Sequence, residues 1–212
     1  MRKVIISLAP VQAGTSVDAV KLAEDVEKSV KLGAAMCHLH CRKPDGSLTP
    51  DISYMSECFD EILKRTDVVV QASTGGVSDM NIQDRCNPLD YPKVESASLN
   101  GGSTNLGEAV ILILLMISAT AQTLFIREES FRKQKVFDIG MLHNMAVVKS
   151  EQPFANPCCL TWYLVTKAAC SLLRRCWQLS VPLFHLMHFG ALPTLDVITG
   201  HSWPLQLLWE QR

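Results

Sequence analysis

Two histidines one residue apart, His38 and His40, carry the clearest chemical signal in the chain. They end the run Ala34 to His40 (AAMCHLH), which reads as a β-strand. On a strand, residues two apart share a face, so both imidazoles project together. Two neutral imidazole nitrogens on one face suit a divalent metal, most simply zinc. The spacing fits equally two strand-end histidines hydrogen-bonded to backbone, and an isolated HxH does not separate the two readings. Two glycine-rich segments accompany the pair: Ser73-Thr74-Gly75-Gly76 and Asn100-Gly101-Gly102-Ser103. Glycines let backbone N–H groups approach an oxyanion or phosphate, and hydroxyls add donors. Either segment alone reads also as a turn, but both beside one histidine pair favour a binding site. His143, His185, His188 and His201 show no paired carboxylate or metal spacing and are read as non-catalytic. No base stands at a readable position beside a cysteine, so a thiol nucleophile is not expected.

The elements that must position these residues alternate. Val4 to Leu8 is a short β-branched run ended by Pro10, a buried strand. Ser16 can cap a helix carrying Val17, Val20, Leu22, Ala23, Val26 and Val30 at roughly helical spacing, and Gly33 stops it. After the histidine strand, residues 42–47 form a loop by their Pro and Asp-Gly. Ile52, Met55, Phe59, Ile62 and Leu63 mark a second helix, and Val68 to Gln71 a third strand. A break containing Pro88 and Pro92 precedes a fourth strand, Glu95 to Leu99. This order predicts right-handed βαβ units and a parallel sheet. The polar loops at 9–16, 40–47, 71–78 and 100–107 all follow strands, where α/β sheets and barrels form their sites.

A chain of 212 residues can bury one good core. It is short for a (β/α)8 barrel, which takes about 250 residues. A net charge of -1 gives no electrostatic footprint for nucleic acid or an anionic membrane. No basic n-region precedes an apolar h-region, so no signal peptide is expected. The eight cysteines form no CxxC pair, which favours reduced thiols in a cytoplasm. The composition shifts along the chain. All four tryptophans (Trp162, Trp177, Trp203, Trp209) follow residue 150, and from Gln152 onward only Asp196 and Glu210 are acidic. Val110 to Phe125 is apolar without a period, shorter than the roughly 20 residues of a membrane span and broken by Ser118, Thr120 and Gln122. Residues 135–144 read as strand and loop, and residues 152–212 hold no period.

The motifs together resemble the β-keto acid cleavage enzymes, whose best-known activity is 3-keto-5-aminohexanoate cleavage. The matching pieces are KVIISLAP at 3–10, GAAMCHLHCRKPDG at 33–46, TDVVVQASTGG at 66–76, ESASLNGGSTNLG at 95–107 and VFDIGMLHN at 136–144, in family order and spacing. The resemblance implies an α/β (β/α)8 TIM barrel that condenses a β-keto acid with acetyl-CoA and splits the adduct into acetoacetate and a new acyl-CoA. It implies one zinc on His38 and His40, polarising the keto acid as a Lewis acid. Ser73 would fall on a hydroxyl that holds the substrate carboxylate, Ser103 on one near the reacting carbon, and Thr74, Gly75, Gly76 and Asn100 beside the substrate. The implied setting is a cytoplasmic homo-oligomer with small-molecule partners, neither nucleic acid nor membrane.

The chain departs from that pattern. The late Gly-Leu-Glu-Asp segment that supplies the family's third metal ligand is absent, with its neighbouring arginine and aspartate. Val11-Gln12-Ala13-Gly14 stands where a glutamate often follows the first strand, and Lys135 where a glutamate is expected two residues before Phe137. Residues 1–107 thus read as the N-terminal half of the barrel and 108–212 as its remainder, with 108–134 and 150–212 departing from the family. A shifted reading frame accounts for this. With suitable codons, Thr161 to Cys170 read one base earlier encode Asn-Leu-Val-Leu-Gly-Asn-Lys-Gly-Gly-Met, a family-like glycine-rich loop, and residues 110–118 arise from a family-like helix start by loss of one base. A genuine divergent C-terminal domain would leave both matches as coincidence. The expectation for the chain as it stands is an incomplete barrel with open sheet edges, weak metal binding and little turnover. The alternative is a remnant with no catalytic role.

Overall fold

Short β-branched runs and helices of one apolar face build the first half in the expected alternation: β1 (Val4–Leu8), α1 (Ala19–Lys31), β2 (Ala34–Leu39), α2 (Ser53–Leu63), β3 (Val69–Ser73), α3 (Ile82–Cys86) and β4 (Ser96–Asn100). In this computed structural model the described residues are 4–75, 79–106, 109–113, 131–137, 139–151, 158–164, 192–197 and 205–209. Asp18, not Ser16, caps α1, its carboxylate accepting from the Lys21 amide at 3.0 Å. The helix ends at Gly33, whose φ of +109° turns the chain into β2. The proline-containing break folds as α3 followed by a 3-10 turn, Asn87–Asp90.

The second half carries more regular structure than its pattern announces. β5 (Thr104–Leu106) and β6 (Ala109–Ile111) pair as an antiparallel hairpin, followed by β7 (Phe131–Val136) and α4 (Ile139–Glu151). The strand expected within 135–144 therefore ends at Val136, and residues 139–144 are helical. Three strands lie in the region that shows no period: β8 (Cys158–Leu164), β9 (Leu192–Val197) and β10 (Leu205–Trp209). Residues 114–125 of the apolar run lie outside the described residues. Among the described residues no helix is long and apolar enough to cross a membrane.

The sheet closes on itself in the order β1-β10-β9-β8-β7-β4-β3-β2. Neighbours from β1 through β2, β3, β4, β7 and β8 to β9 are parallel, while β10 runs antiparallel to both β9 and β1. This overturns the expectation of open edges. The reversal follows from chain length: the connection 198–204 is too short for a parallel crossover, which takes a dozen residues or more, but long enough for an antiparallel return. The architecture is an α/β barrel on the (β/α)8 plan, left incomplete by its reversed last strand.

Strand alternation divides the polar residues from the core. Cys37 and Leu39 of β2, Val70 and Ala72 of β3, and Ala97 and Leu99 of β4 face outward onto Leu22, Ala23 and Val26 of α1 and Met55, Phe59 and Ile62 of α2. The alternate residues face the barrel interior, and among them Ser7, His38, Gln71, Ser73, Ser96, Ser98, Asn100 and Lys135 are polar and buried. Register pairs His38 with Gln71, Gln71 with Ser96, Ser73 with Ser98 and Asn100 with Lys135. Phe59 is fully buried in the outer core and stacks on Tyr91 with ring centroids 5.8 Å apart. Phe59→Ala is expected to lower unfolding stability by about 3–5 kcal/mol, read as a lower urea midpoint at unchanged slope.

Candidate functional site at the carboxyl ends of the strands

His38 lies on β2 and His40 directly follows its last residue. Their rings meet edge to face, with centroids 5.4 Å apart and planes at 83°. His40 Nδ1 lies 3.1 Å from the Gly75 carbonyl oxygen. A carbonyl only accepts, so this nitrogen carries the proton and Nε2 keeps the lone pair. His40 is held neutral: burial pushes its pKa down to about 3, with the positive charges of Lys135, Arg42 and Arg85 acting in the same direction and the Gly75 bond against them.

His38 is buried, and across the barrel interior its Nε2 meets the Lys135 ammonium at 3.3 Å. An ammonium has donors only, so His38 Nε2 accepts and Nδ1 carries the proton. Lys135 comes from β7, its main-chain carbonyl accepts from the Gly101 amide at 2.8 Å, and its side chain is 7% exposed. The sequence marks Lys135 only as a departure from the family. That it reaches His38 depends on strand order, which a single sequence does not reveal.

The first glycine loop joins this group. The Ser73 hydroxyl accepts from the Gly75 amide at 3.3 Å, and Thr74 Oγ1 donates to the Ser98 carbonyl at 2.6 Å. A Cβ at Gly75 would stand 3.6 Å from Asn100 Oδ1 and 3.7 Å from Ser73 Oγ, so the bare glycine lets both side chains lie against the backbone. Gly76 lies outside the described residues. The second glycine pair serves packing: a Cβ at Gly101 would come within 3.1 Å of Met145 Sδ, and one at Gly102 within 3.1 Å of Met141 Cγ, so these glycines let α4 settle onto the loop. Ser103 is exposed, and its hydroxyl donates to the Ile113 carbonyl at 3.1 Å and accepts from the Ile113 amide at 2.9 Å. Among the described contacts it is not joined to the histidines. The structure thus gathers His38, His40, Ser73, Thr74, Gly75 and Asn100, adds Lys135, and leaves Ser103 tied to residue 113.

Arg85 is a further resident that the sequence does not signal, because it sits on a one-turn helix inside the proline break. It is 7% exposed and donates from Nε to the Thr74 carbonyl at 3.0 Å and from Nη1 to Leu112 at 3.2 Å. Gln71 Nε2 donates to Ser96 Oγ at 2.7 Å. Among the described residues, Gln71 Oε1, Ser98 Oγ, Asn100 Nδ2 and Arg85 Nη2 are buried without a hydrogen-bond partner. Unmet polar atoms of that kind favour a polar occupant. Cys37, Cys41, Cys58 and Cys86 are buried free thiols; burial pushes Cys41, Cys58 and Cys86 up to about 11 and Cys37 higher still, so they behave as small apolar groups. His143 is exposed on α4, while His185, His188 and His201 lie outside the described residues.

The sequence model of the beta-keto acid cleavage enzymes matches residues 13–172, most of the chain. The chain belongs to the β-keto acid cleavage enzyme family. It is 36% identical over 115 residues to 3,5-dioxohexanoate:acetyl-CoA acetone transferase of Paraburkholderia graminis, covering 50% of this chain and 37% of that protein. It is 31% identical over 124 residues to 3-keto-5-aminohexanoate cleavage enzyme of Fusobacterium nucleatum subsp. nucleatum, covering 58% of this chain and 45% of that protein. The chain therefore spans less than half the length of these curated relatives. The fold resembles the apo structure of ObcA, with a TM-score of 0.58 and 15% identity over 85% of this chain and 50% of that one.

The zinc that membership in the β-keto acid cleavage enzyme family implies finds the two imidazoles of His38 and His40 among the described residues. Among the described residues no three His, Cys, Asp or Glu side chains converge, and catalytic zinc takes three protein ligands. The Lys135 ammonium also lies against the nitrogen that a metal on His38 would use. The described residues do not fit a tightly held zinc.

The neutral state of His40 sets a pH dependence. Its folded pKa is depressed below that of the unfolded chain, so between the two values the unfolded state binds the extra proton. Stability should be full above about pH 6.5 and fall as the pH drops from there toward 3, by at most about 1.4 kcal/mol per unit, and less because the ring is partly exposed. Denaturant midpoints measured from pH 7 to pH 4 check this: His40→Asn should flatten the slope.

Proposed function

We propose that this chain retains the substrate pocket of an enzyme that joins a β-keto acid to acetyl-CoA and releases acetoacetate and an acyl-CoA, and that it turns the reaction over slowly or not at all. The observation that carries this reading is the Lys135 ammonium 3.3 Å from His38 Nε2, on the spot where the family's chemistry calls for a divalent cation. Family membership supports the reaction class, and two relatives carry names that specify acetone transfer to acetyl-CoA and 3-keto-5-aminohexanoate cleavage.

In this reading the chain's own residues bind and orient. The Lys135 ammonium and the Asn100 Nδ2 donor take the keto acid's carboxylate and carbonyl, on neighbouring strands and facing one interior. Ser73, Thr74 and Gly75 border the carboxylate, and Ser103 belongs near the reacting carbon. A Lewis-acid metal supplies several kcal/mol of transition-state stabilisation in such chemistry. The second reading, a remnant with no catalytic role, is favoured by the same lysine and by the lack of a third converging ligand among the described residues. Cytoplasmic residence and a homo-oligomeric state belong to this proposal.

Two measurements separate the readings. The chain is incubated with 3-keto-5-aminohexanoate and acetyl-CoA, and acetoacetate is followed; separately, acetoacetate is titrated as a stable β-keto acid. The expected result is saturable binding that Lys135→Ala weakens about tenfold or more, with turnover roughly a thousandfold or more below the range of ordinary enzymes. Turnover within that ordinary range overturns the low-activity reading. Absence of both binding and turnover leaves the remnant.

A further inference from the structure

We propose that Lys135 excludes zinc from this barrel by standing in its place, as a resident monocation bonded to the histidine that a metal would use. Three observations converge on it. The ammonium lies 3.3 Å from His38 Nε2, the distance of a hydrogen bond, so the lone pair needed for coordination is already engaged. Zinc bound to that nitrogen would sit about 2.0–2.1 Å from it. A divalent ion and an ammonium cannot share that space without strong repulsion in a buried setting.

The second observation is that the ammonium is built in rather than passing through. Lys135 is 7% exposed, its main chain is held in the parallel ladder between β4 and β8, and its carbonyl accepts from Gly101 at 2.8 Å. The third is the surrounding field. The charges of Lys135, Arg42 and Arg85 all act on His40 in the positive direction, and among the described residues no three His, Cys, Asp or Glu side chains converge to hold a metal. Such a field favours an anion over a second cation.

The proposal concerns metal uptake alone and can fail while the substrate reading stands, because its readout is metal binding and not acetoacetate. Full-length chain is titrated with Zn2+ against a chromogenic chelator and with Co2+ by its visible absorption, as wild type, Lys135→Met and Lys135→Gln. The wild type is expected to hold no stoichiometric zinc. Both neutral variants should bind zinc about a hundredfold more tightly or better, with a cobalt spectrum of imidazole coordination, and adding His38→Ala should remove the gain. A cooperative melt confirms the fold of each variant, and either folded variant suffices. One tightly held zinc per wild-type chain overturns the proposal. So does a folded neutral variant that binds no better than wild type, or a gain that survives His38→Ala.

Discussion

The period of two along a β-strand is the constraint on which the rest of this molecule depends. It sends Cys37 and Leu39 outward to α1 and α2 and leaves His38 with its neighbour His40 on the opposite side. The same rule acting on β3, β4 and β7 brings Gln71, Ser73, Ser98, Asn100 and Lys135 into one interior. A shift of one residue in any of these strands would bury polar side chains in the outer core and turn apolar ones into the site. Core and site are therefore specified together, and neither can be altered in register without loss of the other.

Much of this was legible from residue types. The four early strands, their helices and the histidine pair follow from local pattern, because Val4 to Leu8, Val68 to Gln71 and the α1 stripe have a single reading. Ser73, Thr74, Gly75 and Asn100 lie at the strand ends where the histidines lie, because polar loops gather there. The later elements were not legible, for physical reasons. β7 carries Arg132, Lys133, Gln134 and Lys135 in a row, and charge without alternation hides a strand whose inward face tolerates a lysine. β8 to β10 are held by long-range pairing, which leaves no trace in a local window. The direction of β10 was hidden for the same reason, since a sequence fixes strand length more readily than strand partner.

Lys135 and Arg85 show where single-sequence reasoning stops. Each belongs to the site through a contact with a distant segment: Lys135 through His38, and Arg85 through Thr74 and Leu112. A family pattern marks the lysine as an anomaly, but only the barrel's closure turns it into a neighbour of His38. The glycines of the second loop make the converse point. Gly101 and Gly102 resemble a ligand cradle in sequence, and in the fold they make room for Met141 and Met145.

The antiparallel seam between β1 and β10 has a consequence for how the chain comes to be. Val4 pairs with Trp209 and Leu8 with Leu205, so β1 waits for a strand far along the chain. Until residues 205–209 have left the ribosome, the hydrogen-bonding edge of β1 stays open, and β9 stays open on its far side. Contacts of such long sequence separation form late and slowly, and an unsatisfied edge in the interval is a template for pairing with other chains. Birth of this barrel is thus a race between ring closure and intermolecular pairing, in which chaperones and dilution favour closure.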